Sequence, residues 1–262
     1  MSAIITSIYN CPVKSISFQN IDKCKINKNI GIEGDRVFAF SQNLDLDQSK
    51  EFEKNPEARK GKWNKIVTLK NTPVFNKYNF LYENNKLTLT IKDKEIITIN
   101  VNDSNERDNL VKKLIELEGS LKNDIRLMRN DEHPFYDTSI SNKSMFRNSI
   151  SLLNINSIKD FENKINQKIE KSIFRGNLYF DGIEAWEERN WIGKTIKIND
   201  VLFKVEKNIP RCVAINLKPK TDDNSFNLLK TLKETYDHYD MGVYLTPEND
   251  GEINLSEKIL IK

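Results

Sequence analysis

Apolar and polar positions alternate along most of this chain, and such alternation predicts strands, because successive side chains of a strand face opposite ways. Residues 4–9 form a short β-rich run that ends at Cys11-Pro12, where proline has no N–H to give a ladder. A weak strand over 21–26 and a turn at 29–36 lead into the apolar run Val37-Phe38-Ala39-Phe40. Residues 65–69, 78–82, 86–91 and 95–99 follow as strands, with hairpin turns at Glu83-Asn84-Asn85 and Lys92-Asp93-Lys94. The period then changes: Leu110, Leu114 and Leu117 share one face of a helix capped at Asp103 or Ser104 and ended by Gly119. Further on, the pattern predicts strands at 125–128 and 149–153, then a helix from 156 or 157 to about 168, then a strand across 174–181. A hairpin over 193–201, a helix over 225–236 and a closing hairpin over 251–261 complete the chain.

This order predicts an α+β fold, mostly β, with a β-rich first domain at 1–120 and a second at 121–262. Residues 41–62 read as a long polar surface loop. Asp45, Asp47, Ser49 and Glu51 imitate a calcium loop there, but Lys50 stands where that loop needs glycine and Pro56 where it needs its last ligand. No window approaches the roughly 20 apolar residues of a membrane helix. The first residues lack a basic, then apolar, leader, so a cytoplasmic protein with no membrane partner is expected. The 41 basic and 38 acidic residues leave a net charge of only +3, which gives no reason to expect nucleic acid. The three cysteines have no close pair, and with two histidines and no CxxC neither a disulfide framework nor a zinc site is expected.

Candidate chemistry centres on Ile209-Pro210-Arg211-Cys212-Val213, where a thiol follows a cation at the end of an alternating run. A neighbouring cation favours thiolate, the soft ligand that soft metals select, although a free cysteine is equally at home as a small buried hydrophobe. Lys14-Ser15 follows a rigid turn and suits an oxyanion, or is a solvated loop. Arg36 opens an apolar strand, a position in which arginine usually has a fixed partner. Arg175 and Asn177 fall on one face of the expected 174–181 strand, so either they meet a polar ligand or that face is wet. Asp181, His238 and Asp240 are candidate proton donors; otherwise His238 caps the preceding helix and Asp181 shapes a turn with Gly182.

Pro12-Val13-Lys14-Ser15, Gly34-Asp35-Arg36, Phe174-Arg175-Gly176-Asn177-Leu178, Asp181-Gly182, Arg211-Cys212 and Gly242-Val243 occur in an order and at distances that resemble the MOSC (molybdenum cofactor sulfurase C-terminal) domain proteins. Within that group the chain is similar to the mitochondrial amidoxime reducing component and to bacterial single-chain MOSC proteins. The resemblance implies a MOSC β-barrel at 121–262 packed on an N-terminal β-barrel-like domain, and molybdenum–molybdopterin as cofactor. It makes Cys212 the metal ligand, and Lys14, Ser15, Arg36, Arg175, Asn177 and Arg211 the residues that hold the pterin and its phosphate. Arg147 and Asn148 stand where the amidoxime reducing enzymes carry Thr-Ser, and are candidates for the same pocket. Glu53-Lys54-Asn55-Pro56 replaces an arginine-containing stretch. The implied activity is reduction of small N-hydroxylated or N-oxide substrates, with electrons from a ferredoxin-like or cytochrome b5-like protein and its reductase. The alternative is a cofactor or sulfur carrier working through a Cys212 persulfide; a third possibility is a β-barrel whose site has decayed. At family level the resemblance also brings an association with pyridoxal phosphate.

Overall fold

The computed structural model describes residues 2–16, 18–121, 124–136 and 148–262, apart from the Trp63 side chain. It is α+β and mostly β. In chain order its strands are β1 (Ile4–Asn10), β2 (Gln19–Ile21), β3 (Lys23–Asn27), β4 (Gly31–Ile32), β5 (Phe38–Ser41), β6 (Tyr78–Glu83), β7 (Lys86–Ile91) and β8 (Lys94–Asn100). There follow β9 (Arg126–Arg129), β10 (Ile150–Asn154), β11 (Leu178–Asp181), β12 (Thr195–Ile198), β13 (Val201–Pro210), β14 (Asp240–Pro247), β15 (Gly251–Asn254) and β16 (Ile259–Ile261). The α-helices are α1 (Leu46–Lys54), α2 (Ser104–Leu117), α3 (Ile155–Ile165) and α4 (Leu228–Tyr236).

Two compact units share the chain, and neither is continuous in sequence. The first comprises 1–10, 20–33 and 148–262, and the second 11–19 and 34–147. The sequential division at 120 therefore does not describe these units. The physical reason is pairing between distant segments: β1 lies antiparallel to β11, with Ile8 opposite Leu178, and β3 lies antiparallel to β15, with Cys24 opposite Ile253.

The first unit is built on an eight-stranded sheet in the order β16-β12-β13-β14-β10-β11-β1-β2. β10 and β11 run parallel, and α3 supplies the crossover that a parallel pair needs. The segment at β16 also meets β1 near the other end of this order. Ile4 bridges Lys258, Ile5 N–H donates to Glu257 O at 2.9 Å, and Ile259 N–H donates to Ala3 O at 2.9 Å. The segment entering β16 thus closes on β1, which leaves fewer bare edges. The inward side chains form one core: Ile5, Ile8, Leu152, Leu178, Phe180, Phe203, Val205, Val243 and Leu245, with Phe180 stacked on Trp191 at 5.3 Å. The expected closing hairpin at 251–261 is not one, since β15 pairs with β3 and β16 with β12.

The second unit holds the meander β6-β7-β8 and the pair β5-β9. Its aromatic core stacks Phe40 on Phe75 at 5.6 Å, with Phe80 at 5.7 Å. Asp103 caps α2 as expected, accepting the N–H groups of Asn105 and Glu106. The strand expected at 65–69 does not form beyond a single bridge at Ile66. Asn71 occupies the groups a ladder would use, accepting Thr68 N–H at 2.8 Å and donating to Ile66 O at 2.9 Å. The polar stretch 41–62 contains α1. Its start is a reciprocal capping box: Asp45 accepts Gln48 N–H at 2.8 Å, and the Gln48 side chain accepts Asp45 N–H at 3.3 Å.

Candidate functional site

In the first unit, β13 ends at Pro210, opposite Asp240 at the start of β14, and this pairing sets the position of Cys212. Arg211 N–H donates to Tyr239 O at 2.8 Å. Its guanidinium turns inward: Nε donates to Met241 O at 3.0 Å, Nη2 to the same oxygen, and Nη1 to Phe174 O at 2.7 Å. Burial pushes this guanidinium below its ordinary pKa, against the pull of Tyr244, Tyr179, Cys212 and Asp240. The structure thus spends Arg211 on main-chain carbonyls. It acts as a clamp that joins three segments and fixes the next residue. That residue, Cys212, has extended backbone and starts the 3-10 turn Val213–Asn216. Its thiol is exposed, whereas Cys11 and Cys24 are buried.

The Phe174 carbonyl belongs to the 3-10 turn Lys171–Phe174, which Arg175 ends with φ 50° and ψ 44°. This left-handed backbone costs a side-chain-bearing residue about 1–2 kcal/mol. Arg175 and Asn177 therefore do not stand two apart on a strand face as the alternation suggests, because β11 begins only at Leu178. Between them Gly176 is required by close packing: a Cβ there would lie 2.4 Å from Leu153 Cδ1. Asn177 is 1% exposed. Its Oδ1 accepts Ser151 Oγ at 2.8 Å and Ser151 N–H at 3.2 Å, and its Nδ2 donates to Tyr9 O at 3.3 Å. It works as a latch among β1, β10 and β11. Gly242, two residues past Asp240, has φ 81° and no room for a Cβ, which would meet Leu152 O at 2.5 Å.

The candidate proton donors separate. Asp240 lies beside the Arg211 corner, its carboxylate 3.3 Å from Arg189 Nη1. Its N–H donates to His238 Nδ1 at 3.1 Å, so neutral His238 carries its proton on Nε2. Burial, then Arg189, push the His238 pKa down, which keeps the ring neutral near pH 7. The ring stacks on Tyr236 at 5.7 Å and meets Trp186 edge-on at 5.6 Å. Asp181 makes its contacts elsewhere: Oδ1 accepts Gly182 N–H at 2.7 Å and Asn156 Nδ2 at 2.8 Å, and Oδ2 pairs with Lys159 at 3.3 Å. Burial acts to raise its pKa, but Gly182, Lys159 and Asn156 together outweigh it and hold the carboxyl below its ordinary value. Asp181 is thus an ionised anchor for the start of α3. The Asn148 side chain donates to Lys28 O in the turn between β3 and β4. Arg147 lies outside the described residues.

In the second unit, residues 12–14 run beside the start of β5. Phe38 N–H donates to Pro12 O at 2.9 Å, and Lys14 N–H to Phe38 O at 2.8 Å. This pairing brings Lys14 and Ser15 alongside Arg36, whose N–H donates to Cys11 O at 2.7 Å. Arg36 has the fixed partner expected of it: Asp35, which is 2% exposed and also accepts Cys11 N–H at 2.7 Å. Ser15 (φ 64°) and Arg36 (φ 55°) are left-handed, as Arg175 is. Most other side-chain-bearing residues in that conformation are Asn, Asp or Lys, among them the hairpin pairs Asn84-Asn85 and Lys92-Asp93. Such strain persists where surrounding structure imposes it, a common property of ligand sites.

Sequence reasoning missed Arg189, whose signal was only a cation in a polar stretch between two tryptophans. It also missed Glu188, a fully buried carboxyl that accepts Ser157 Oγ at 2.8 Å and Asn154 Nδ2 at 3.0 Å. Among the described residues no group of three or more His, Cys, Asp and Glu side chains is placed to hold a metal ion, and no helix is long and apolar enough to cross a membrane.

Residues 137–259 match the family model of the MOSC domain. The mitochondrial amidoxime reducing component 2 of Rattus norvegicus is 33% identical over 72 residues, 28% of this chain and 21% of that protein. The chain thus spans about a fifth of the length of that curated relative. Among solved structures, the YuaD protein of Bacillus subtilis is similar over 100% of this chain and 96% of its own, at 11% identity and a TM-score of 0.45. YiiM from Geobacillus stearothermophilus is similar over 43% of this chain and 53% of its own, at 15% identity and a TM-score of 0.35. The stretch from residue 137 to residue 259 that matches the MOSC domain model carries Arg175, Arg211 and Cys212.

Proposed function

We propose that this protein is a molybdenum-cofactor-dependent oxidoreductase that reduces small N-hydroxylated or N-oxide compounds. One observation carries the reading: Cys212 is the exposed thiol of the chain, and the residue before it is clamped by bonds to Tyr239, Met241 and Phe174. A soft ligand held in fixed geometry and open to a bound molecule suits a soft metal. The donor set fits a metal that arrives inside an organic cofactor, because Cys212 offers one ligand and the turn clamped by Arg211 presents the cation Arg175. When bound, the molybdenum cofactor would supply the two-electron chemistry and accept the oxygen atom.

The chain's own part is to hold and orient. Cys212 Sγ ligates, Arg175 supplies positive charge for an anionic group, and the Arg211 clamp keeps the two in fixed relation. Lys14, Ser15 and Arg36 are grouped within the second unit and suit an anion there. Asn177 and Asn148 position the backbone rather than the ligand, since their amides are engaged within the fold. Reducing an N-hydroxyl group consumes two protons, and Asp240 with Arg189 and His238 is the titratable group beside Cys212 that could relay them. Electrons would come from a separate ferredoxin-like or cytochrome b5-like carrier and its reductase. Pyridoxal phosphate has no part in this reading.

The test is reduction of an N-hydroxylated amine by cofactor-loaded protein with an artificial electron donor. Cys212→Ser should lose the activity, and Cys24→Ala should keep it. Full activity in Cys212→Ser would overturn the proposal. A sulfur carrier, by contrast, would bring labile sulfur on Cys212 and no reduction.

A further inference from the structure

One side chain of β11 closes the 3-10 turn Lys171–Phe174 and the left-handed Arg175 that ends it. Tyr179 is 0% exposed, and its hydroxyl accepts Gly176 N–H at 3.0 Å and donates to Lys171 O at 2.9 Å. The polarity is fixed, since an amide N–H can only give and a carbonyl can only take. The phenol thus ties the residue that opens the turn to the residue that follows Arg175. Its ring has room because Gly176 lacks a side chain: a Cβ there would lie 3.1 Å from Tyr179 Cζ. Gly176 is buried, so its N–H would be costly to leave without this partner.

The core does not need a hydroxyl at this position. Leu178 and Phe180 belong to the apolar core of the sheet, and Tyr179 between them faces the other way. Phenylalanine would keep the edge-on contact with Tyr9 at 5.6 Å, so what the hydroxyl adds is its hold on the turn. Arg175 needs that hold. Its backbone, at φ 50°, is of a kind that persists where surrounding structure imposes it. Both flanking residues are pinned: Arg211 donates to Phe174 O before it, and Tyr179 takes Gly176 N–H after it. We propose, on the reading that Arg175 binds an anionic group of the cofactor, that Tyr179 is a positioning residue whose hydroxyl sets where Arg175 is presented.

Two measurements test this. The first is amide exchange followed by NMR. Gly176 N–H should be protected in the wild type although it lies in neither a helix nor a strand, and Tyr179→Phe should speed its exchange about tenfold, with the Phe180 amide of β11 unchanged. The second is the rate at which dialysis removes molybdenum from protein made in a host that synthesises the cofactor. Tyr179→Phe and Arg175→Ala should each speed the loss about tenfold. The double variant should lose molybdenum no faster than Arg175→Ala alone, because Tyr179 acts through Arg175. Effects that multiply would make Tyr179 a structural residue only and overturn the proposal. So would a wild-type rate in Tyr179→Phe beside fast loss in Arg175→Ala, a result that leaves the cofactor reading standing. A wild-type rate in Arg175→Ala, or no molybdenum in the wild type, would overturn that reading and the proposal with it. If Tyr179→Phe does not fold, the wild-type Gly176 amide decides, and exchange at the free-peptide rate would overturn the proposal.

Discussion

Arg211 Nη1 donates to the carbonyl of Phe174 at 2.7 Å, joining the end of β13 to the turn that presents Arg175. The exposed thiol and the strained cation are therefore held by one side chain whose guanidinium is given to main-chain carbonyls. Lysine at 211 could reach one carbonyl but not both. Arg211→Lys should cost about 1.5–3 kcal/mol, the worth of a charge-assisted hydrogen bond. Urea unfolding should give a lower midpoint with an unchanged slope, and a midpoint equal to wild type would show the clamp to be dispensable.

Asp181 should act on stability and not on catalysis. Its carboxyl is held below its ordinary pKa, so the folded state binds the proton more weakly than the unfolded state. The contribution is present above about pH 4 and is lost as the pH falls through the folded value. The group is more than a third exposed, and Asp181→Asn should cost only about 0.5–1 kcal/mol at pH 7. Reduction rates should stay at the wild-type level, and a rate loss with cofactor retained would return Asp181 to the list of proton donors.

Glu188 works with the opposite sign. Burial raises its pKa more than Asn154 and Ser157 lower it, so the folded state holds the proton more tightly than the unfolded state. That stability is fully present below the unfolded value of 4.5 and is lost as the pH rises through the folded value. Measured as the difference between wild type and Glu188→Gln, the stability gap should shift in favour of Gln as the pH rises from about 4.5 toward neutrality. A gap that does not change with pH would contradict the assignment.

Arg59 should prove the stabilising residue of its region. It is 6% exposed, donates to Phe52 O (2.6 Å), Glu53 O (2.9 Å) and His133 O (2.7 Å), and lies 3.9 Å from the centre of the Phe135 ring. It thereby closes the C-terminal end of α1 and fixes the segment before residue 137. Arg59→Met should cost about 3 kcal/mol or more, because several charge-assisted bonds go at once. A thermal midpoint within error of wild type would refute this.

Local patterns were legible in the sequence and long-range commitments were not. The alternation gave β7 its bounds, and Asp103 announced α2, since both depend on neighbours a few residues away. Helix α1 was hidden because it buries only Ser49 and Phe52, too sparse a stripe to stand out from a loop, although its Asp45-to-Gln48 box was present. Closure of the large sheet depends on Ile4 meeting Lys258, which no local pattern encodes. Cys212 could be read from a thiol after a cation at a strand end. What Arg211 and Asn177 do could not, because a polar side chain on an apolar strand serves a ligand or a carbonyl equally well until its partner is known.

The central claim is that Cys212 holds molybdenum. Metal and pterin analysis of wild type and Cys212→Ser, both made in a host that synthesises the cofactor, tests it most directly. The account predicts stoichiometric molybdenum with pterin in the wild type, and its loss in the folded variant. Equal molybdenum in both proteins, or labile sulfur on Cys212 with no molybdenum in either, would contradict it.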